Sequence, residues 1–535
     1  MGSRRLGLLL GAGFIAAGAF SQLILPGAKA QTPQAGEIDL IIRNGTIYPG
    51  GAAPFRGDVA ISGDKIVYVG PHAPASAKRV IDASGMIVAP GFIDTHTHVD
   101  DALTSELPAA RLVLPFLTQG VTTAFIGVDG VGNPAIADSF GKGVNRDSGI
   151  NYASYVGFGA VRLQVIGAAD RQPTPQELGK MQNLVAGAMC EGALGLSTGL
   201  FYAPQSFAKL DEVVALSRIA AARGGVYDSH LRDESSYTIG LSGAVDEALE
   251  IGKQAQIPVH IAHIKALGVD VQGQAGVIIE KIEAARRAGQ IVHADQYPWS
   301  ASGTGLSAAL LPRWAQDGGR AATLARFDDP AQMAKILPAM ADNLRRRGGP
   351  ASILITQGPA ETIGKTLEQI SKETGADPVA TAVAILRRNE AGIASFNQSD
   401  ADIAALMKRP WVVTSSDASE GHPRYYASFA RKYSVYVKEK KVIDLRTFID
   451  QSTAVTADLF SLTGRGHLKA GAFADVVVFD PARYGPRADY VHPALFSQGM
   501  RTVLVNGKIA IDDGAPTGIA AGRPLPRTPK AGSCR

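Results

Sequence analysis

Cysteine is nearly absent from this chain: Cys190 and Cys534 are the only two in 535 residues. Two thiols cannot supply a cysteine metal cluster, and no disulfide framework is expected from them. Cys190 ends an apolar helical pattern and reads as a buried small hydrophobe. Charge is also sparse, at 19% of residues, and a formal net charge of +4 is small for this length. With no dense Lys/Arg patch, nucleic acid is a poor candidate partner. Long apolar runs are missing from the body of the chain, and the one exception is N-terminal. "MGSRRLGLLLGAGFIAAGAF" sets basic Arg4 and Arg5 before an apolar run, and "GAKA" follows with Ala28 and Ala30 in an A-x-A pattern. That is the anatomy of a secretory signal peptide over residues 1–30, which is excluded from fold reasoning. A membrane anchor is the competing reading, but Ser21, Gln22 and Pro26 interrupt the run. "SRRLGLLL" partly matches a twin-arginine signal, so export to a periplasm is the expected fate, with no stable membrane span after signal removal.

The rest has the composition of an ordinary globular enzyme, 46% hydrophobic with 60 glycines. It is long enough for a large core plus an accessory domain. Residues 31–88 hold short strands with turn signals, "IDLIIRNGTIY" with Asn44-Gly45 among them. A similar texture returns over 468–520, with a second Asn-Gly pair at Asn506-Gly507. Two strand-rich ends of like character can pair into one small β-domain. Between them, over 89–467, apolar strand-like runs alternate with amphipathic stretches, which argues for βα units and a parallel sheet. So many consecutive units favour a (β/α)8 TIM barrel, an α/β fold, with residues from about 300 to 400 as an insertion. Residues 521–535 read as a polar, Pro-rich tail.

In a parallel barrel the C-terminal strand ends form the active face. "APGFIDTHTHVDD" places His96 and His98 two residues apart, on one face of a strand, aimed at one spot. Asp129 follows the next run, and His230, His263 and Asp417 follow later ones. Imidazole nitrogens and carboxylate oxygens suit Zn²⁺, and a catalytic site leaves one position open for water. One such histidine is usually structural, but four with an aspartate at successive strand ends make a metal centre. Asp129-Gly130 also reads as a turn pair. His72, His467 and His492 are expected at the surface. His260, three residues before His263, is expected to face outward against a helix. Lys265 shares the face of His263, and a solvated lysine is its plain alternative. His293 shares a face with Asp295 and Tyr297 and is expected to serve structure rather than metal.

Taken together, the "GFIDTHTH" strand, the β-domain built from both ends, and the aspartate of "VVTSSDAS" resemble the amidohydrolase superfamily. More narrowly, "QGVTTAFIG", "GALGLSTGLFYAP", "SHLRDE", "AHIKALG", "ADQYPW" and "SSDASEGHPRYYASFARKY" resemble the N-acyl-D-amino-acid deacylase (D-aminoacylase) group over about residues 37–510. The resemblance implies a metal-dependent hydrolase on a distorted TIM barrel that cleaves small N-acyl-D-amino acids or D-amino-acid dipeptides. It implies one or two Zn²⁺ ions. His230 and His263 would hold the tight ion, and His96, His98 and Asp417 would be ligands of a weaker second position. Asp417 also matches the group's general acid/base. Arg424 and Tyr202 match residues around the substrate, with Lys265 and Tyr297 as further neighbours. Arg424 is expected to fix a substrate carboxylate, with pairing to Glu420 as the structural alternative. The chain departs from the group at Asp129, where a cysteine is usual: "GVDGVG" replaces a G-N-C-G pattern. An aspartate is a harder ligand and can bridge two ions through its two oxygens. The same site could serve another amide, a cyclic amide or a lactone. A periplasmic binding protein without turnover is a further alternative, but it would have no need of Asp417.

Overall fold

The computed structural model describes residues 38–73, 76–141 and 147–534; the expected signal peptide lies outside them. Eight short parallel strands surround one axis: Phe92–Asp94, Val121–Ile126, Asn151–Ser154 continued by Val156–Gly157, Gly195–Gly199, Val226–His230, Val259–Ile261, Val292–Gln296 and Val412–Thr414. Each is buried along nearly its whole length, as strands covered on both faces must be. The expected barrel is present. It closes through backbone hydrogen bonds at the loops after its first and last strands: Asp417 N–H donates to His96 O at 2.9 Å and His98 N–H to Ala418 O at 3.0 Å. Closure of the barrel thus sets three candidate ligands side by side.

The outer helices bury one stripe each. Helix Pro175–Cys190 starts with Pro at its first turn and a reciprocal capping box between Thr174 and Glu177, which satisfies orphan N–H groups. It buries Met181, Val185, Ala188 and Met189, the i, i+4, i+7, i+8 pattern of a core-facing stripe. Those side chains join one apolar cluster with Val259 and Ile261 of the barrel wall. His260, between these two, therefore faces the barrel interior. The outward placement expected for it is wrong: its Nδ1 lies 2.7 Å from His293 Nδ1 and its Nε2 2.6 Å from Asp295 Oδ2.

Both chain ends meet in one nine-stranded sheet, where Val476–Phe479 pairs antiparallel with Ile87–Pro90. Of the two Asn-Gly pairs, only Asn506-Gly507 makes a hairpin turn, with φ of 47° and 79°. Asn44-Gly45 sits inside strand Leu40–Ile47 at a shift of register. A side chain at Gly45 would put its Cβ 2.4 Å from Val88 Cγ2. There the bulge was mistaken for a turn because both need the same residues. Residues 301–396 form a separate layer of three antiparallel strands and several helices, with its own apolar cluster around Ile336, Met340 and Ile393. Among the described residues no helix is long and apolar enough to cross a membrane.

The C-terminal segment is not a loose tail. Tyr152 N–H donates to Arg523 O and Leu525 N–H to Tyr152 O, at 3.1 and 2.8 Å. Cys534 is disulfide-bonded to Cys190, which corrects the reading of Cys190 as a plain hydrophobe and of the pair as unbridged. The partners stand 344 residues apart, and sequence spacing alone cannot foresee such a closure. Reduction, or Cys190→Ser, is expected to lower stability by about 2–4 kcal/mol. Denaturant midpoints with and without reductant check this, and identical midpoints would refute it.

Candidate metal centre

Six side chains singled out from the sequence come together at the C-terminal end of the barrel. Asp129 stands in their middle. Its Oδ1 lies 3.3 Å from His96 Nε2, 3.3 Å from His230 Nδ1 and 3.5 Å from His263 Nε2, and its Oδ2 lies 3.6 Å from His98 Nε2. Asp417 Oδ1 closes the group at 3.3 Å from His98 Nε2 and 3.9 Å from His96 Nε2. Of these only His98 is partly exposed.

Three of the six have left-handed backbone: Asp129 at φ 54°, His263 at 33° and Asp417 at 50°. Non-glycine residues seldom adopt it, and it concentrates where a site over-determines the geometry. For Asp129 the turn reading and the ligand reading hold together. Val131 N–H donates to Val128 O at 3.1 Å, and that turn aims the Asp129 carboxylate at the imidazoles. Gln205 braces it, Nε2 donating to Asp129 O at 2.8 Å. For His263 the period-two count fails because the strand ends at Ile261. The next residues turn, and Asp295 Oδ1 accepts from His263 N–H at 2.9 Å.

Two buried cations flank the cluster. Lys265 is buried, not solvated: its ammonium donates to Glu234 Oε1 at 2.5 Å and approaches His263 Nδ1 at 2.7 Å. Burial opposes ionisation of Glu234, but Lys265 together with His230 and His263 outweighs it and holds the carboxyl down at about 2. Arg424 Nη1 donates to Asp417 Oδ2 at 2.6 Å, and its Nη2 donates to Ser419 Oγ at 3.0 Å. Its carboxylate partner is therefore Asp417, not Glu420. Burial again works against the charge on Asp417, yet Arg424 and the histidines hold that carboxyl far below the usual range. Tyr202 lines the centre, and burial together with Asp129 pushes its phenol well up, so it remains a donor. Tyr297 is fully buried, 5.2 Å below the Arg424 guanidinium, and accepts from Gln398 Nε2 at 2.9 Å.

Sequence reading missed Glu234, although it lies four residues after His230 in "SHLRDE" with its Oε2 3.8 Å from His230 Nε2. It also missed His422, whose Nδ1 accepts from Arg424 N–H at 3.0 Å. Three ligand groups emerge among the described residues, with ligand atoms in each within 4.8 Å of one another: His96–His98–Asp129 and Asp129–His230–His263 share Asp129, and His96–Asp228–Asp295 lies deeper. Both nitrogens of His96 and of His230, and Asp129 Oδ1, are buried without a hydrogen-bond partner. Buried polar atoms of this kind require a counterpart, and a borderline cation bound by nitrogen and carboxylate oxygen fits them.

The sequence profile of the amidohydrolase family matches residues 142–511. The chain belongs to the amidohydrolase family. It is 31% identical to a D-aminoacylase from Alcaligenes xylosoxydans xylosoxydans over 518 residues, 92% of this chain and 98% of that protein. An N-acyl-D-glutamate deacylase from the same organism is 32% identical, over 92% of this chain and 97% of its own. The crystal structure of an N-acyl-D-glutamate deacylase from Bordetella bronchiseptica, complexed with zinc and a phosphonate mimic of the tetrahedral intermediate, superposes with a TM-score of 0.78. It is 29% identical and covers 92% of this chain and all of its own. A D-aminoacylase structure described as having a binuclear metal centre matches equally, at 30% identity, a TM-score of 0.78 and the same coverage.

Asp129 belongs to two of the ligand groups, so its loss should be felt at both. Asp129→Ala is expected to lower the metal retained after dialysis, measured by elemental analysis, whereas Asp129→Cys keeps it. Unchanged metal content in Asp129→Ala would reduce the residue to a turn former.

Proposed function

We propose that this protein hydrolyses the amide bond of N-acyl-D-amino acids, releasing the free D-amino acid, with zinc held at the cluster just described. The observation that carries the reading is the convergence of four imidazoles and Asp129 beside an ionised Asp417 that Arg424 supports. The named activities of its relatives, which share nearly the full length, support the D-configured substrate. Asp129, His230 and His263 would hold the tight ion, and His96, His98 and Asp417, with the second oxygen of Asp129, the weaker position. Zinc bound there supplies Lewis acidity and lowers the pKa of a water to about 7.

The chain's own residues supply the rest. Arg424 occupies Asp417 Oδ2, which leaves Oδ1 as the proton acceptor. Asp417 takes the proton of the attacking water there and returns it to the departing amide nitrogen, base first and acid second. The Tyr202 hydroxyl, shared by both cavities that adjoin the centre, donates toward the carbonyl oxygen. His96 and His98 orient that carbonyl when the second metal position is empty. Asp295 fixes His263 through its backbone N–H, a supporting contact of the kind that sets ligand orientation. An exported location belongs to the same reading: the N-terminal segment and the Cys190–Cys534 bond both suit an oxidising compartment.

Purified protein of known zinc content, screened against N-acetyl-D- and N-acetyl-L-amino acids, should hydrolyse the D series. His230→Ala or His263→Ala should lose the tightest metal together with turnover. Asp417→Asn should lower kcat by about 10²–10⁴-fold. Full activity in a metal-free preparation, or preference for the L series, would refute the proposal.

A further inference from the structure

Of the two cavities that adjoin the metal-ligand cluster, the larger is a chamber of about 630 Å³. It runs from His98, Asp129 and Arg424 out past Val131, Leu163 and Ile393. A third cavity, of about 230 Å³, meets this chamber along Ala203, Pro204 and Glu390. The inserted layer builds most of its wall: Leu311, then Leu324 and Phe327 on helix Gly319–Asp328, and Leu386 on helix Pro378–Arg388. Ala168, just beyond helix Phe158–Ile166, lines it as well. No step of the reaction described above uses this third cavity.

The polar groups around it are already engaged by the protein. Glu390 Oε1 accepts from Ser307 N–H at 3.0 Å and from Ala391 N–H at 3.2 Å. Arg320 Nη2 donates to Leu386 O at 3.0 Å, and Thr323 Oγ1 donates to Ala315 O at 3.0 Å. Gln316 Nε2 donates to Leu311 O at 3.4 Å. Glu390 and Arg320 are exposed, so their charges remain in water. Leu311, Phe327 and Leu386, by contrast, are nearly inaccessible to solvent. They offer a ligand hydrocarbon and no unmet hydrogen bond. Water against such a wall is displaced favourably by an alkyl group. A chamber of several hundred Å³ also suits a ligand far larger than one acetyl group.

The chemistry sets which part of a substrate meets this wall. Asp417 returns its proton to the amide nitrogen, so the amine half lies on the side of Asp417 and Arg424. Tyr202 donates toward the carbonyl oxygen, and the next two residues, Ala203 and Pro204, are wall common to the chamber and the third cavity. The acyl half, attached to that carbonyl, is directed along them. We propose that the third cavity receives the far end of a long unbranched acyl chain, so that fatty N-acyl-D-amino acids are better substrates than N-acetyl ones. This rests on the deacylase reading above and adds to it the class of acyl group. Each methylene moved from water into apolar surroundings is worth up to about fourfold in affinity. Such binding is equal in ground and transition states, so it lowers KM and leaves kcat nearly as it was.

Steady-state kinetics on the zinc-loaded full chain test this, with N-acyl-D-leucines from acetyl to decanoyl at concentrations below micelle formation. If no member of the series is hydrolysed, the deacylase reading itself falls. Given turnover, kcat/KM should rise at least about 30-fold from acetyl to decanoyl, chiefly through KM. Leu324→Trp and Ala168→Phe each put bulk into the third cavity. Either should lower kcat/KM for the decanoyl substrate at least about tenfold while changing it for the acetyl substrate less than about twofold. If neither variant folds, inhibition of the parent carries the test: decanoate should compete at far lower concentration than acetate. A second series keeps the acetyl group and lengthens the side chain from D-alanine to D-2-aminodecanoate, and the two substitutions should leave its kinetics unchanged. Selective loss on that second series would give the cavity to the side chain and overturn the proposal. So would a flat or falling dependence on acyl length, equal losses on acetyl and decanoyl substrates, or decanoate no better than acetate.

Discussion

A carboxylate ringed by four imidazoles in the interior of a protein is the constraint around which this structure is arranged. Asp129 is nearly inaccessible to solvent, and three imidazole nitrogens approach one of its oxygens at 3.3–3.5 Å. Removing a charge from water costs several kcal/mol even after relaxation, so every nearby element answers to it. The turn at Val128–Val131 presents the carboxylate, Gln205 holds that turn, and closure of the barrel brings His96, His98 and Asp417 to its other side. A barrel offers eight strand ends at one mouth. Here five of them supply the six groups, and none of the six comes from the separate layer at residues 301–396.

Features with a fixed local geometry were legible in the sequence. Two histidines at i and i+2 on a strand must point together, and strand–helix alternation of this length closes as a barrel. What escaped depended on where a strand stops or on contacts across the chain. Counting residues by twos from His260 to His263 put them on opposite faces, but the strand ends between them and the backbone of His263 is left-handed. Glu234 and Lys265 form an ion pair from two different strand-end loops, and neither loop announces the other. Arg347 caps the end of a helix in the inserted layer, where it reads as one of three consecutive surface arginines. In the fold it is buried, its Nε donating to Tyr237 Oη at 2.7 Å.

The same logic governs the metal reading. Around the centre Asp129, Glu234 and Asp417 are anionic, while Lys265 and Arg424 are cationic. Glu234 and Asp417 thus each have a cation against them, whereas Asp129 faces only imidazoles. A divalent cation held by neutral imidazoles would meet that carboxylate. A second would meet Asp417, whose charge Arg424 already shares. This difference in pairing supports one tightly held ion and a weaker second position. A fully ionised cysteine at position 129 would carry the same charge, so the aspartate changes something else: two oxygens face different imidazoles where one sulfur would face all. An aspartate there would leave the electrostatics of a first ion intact and alter the geometry available to a second.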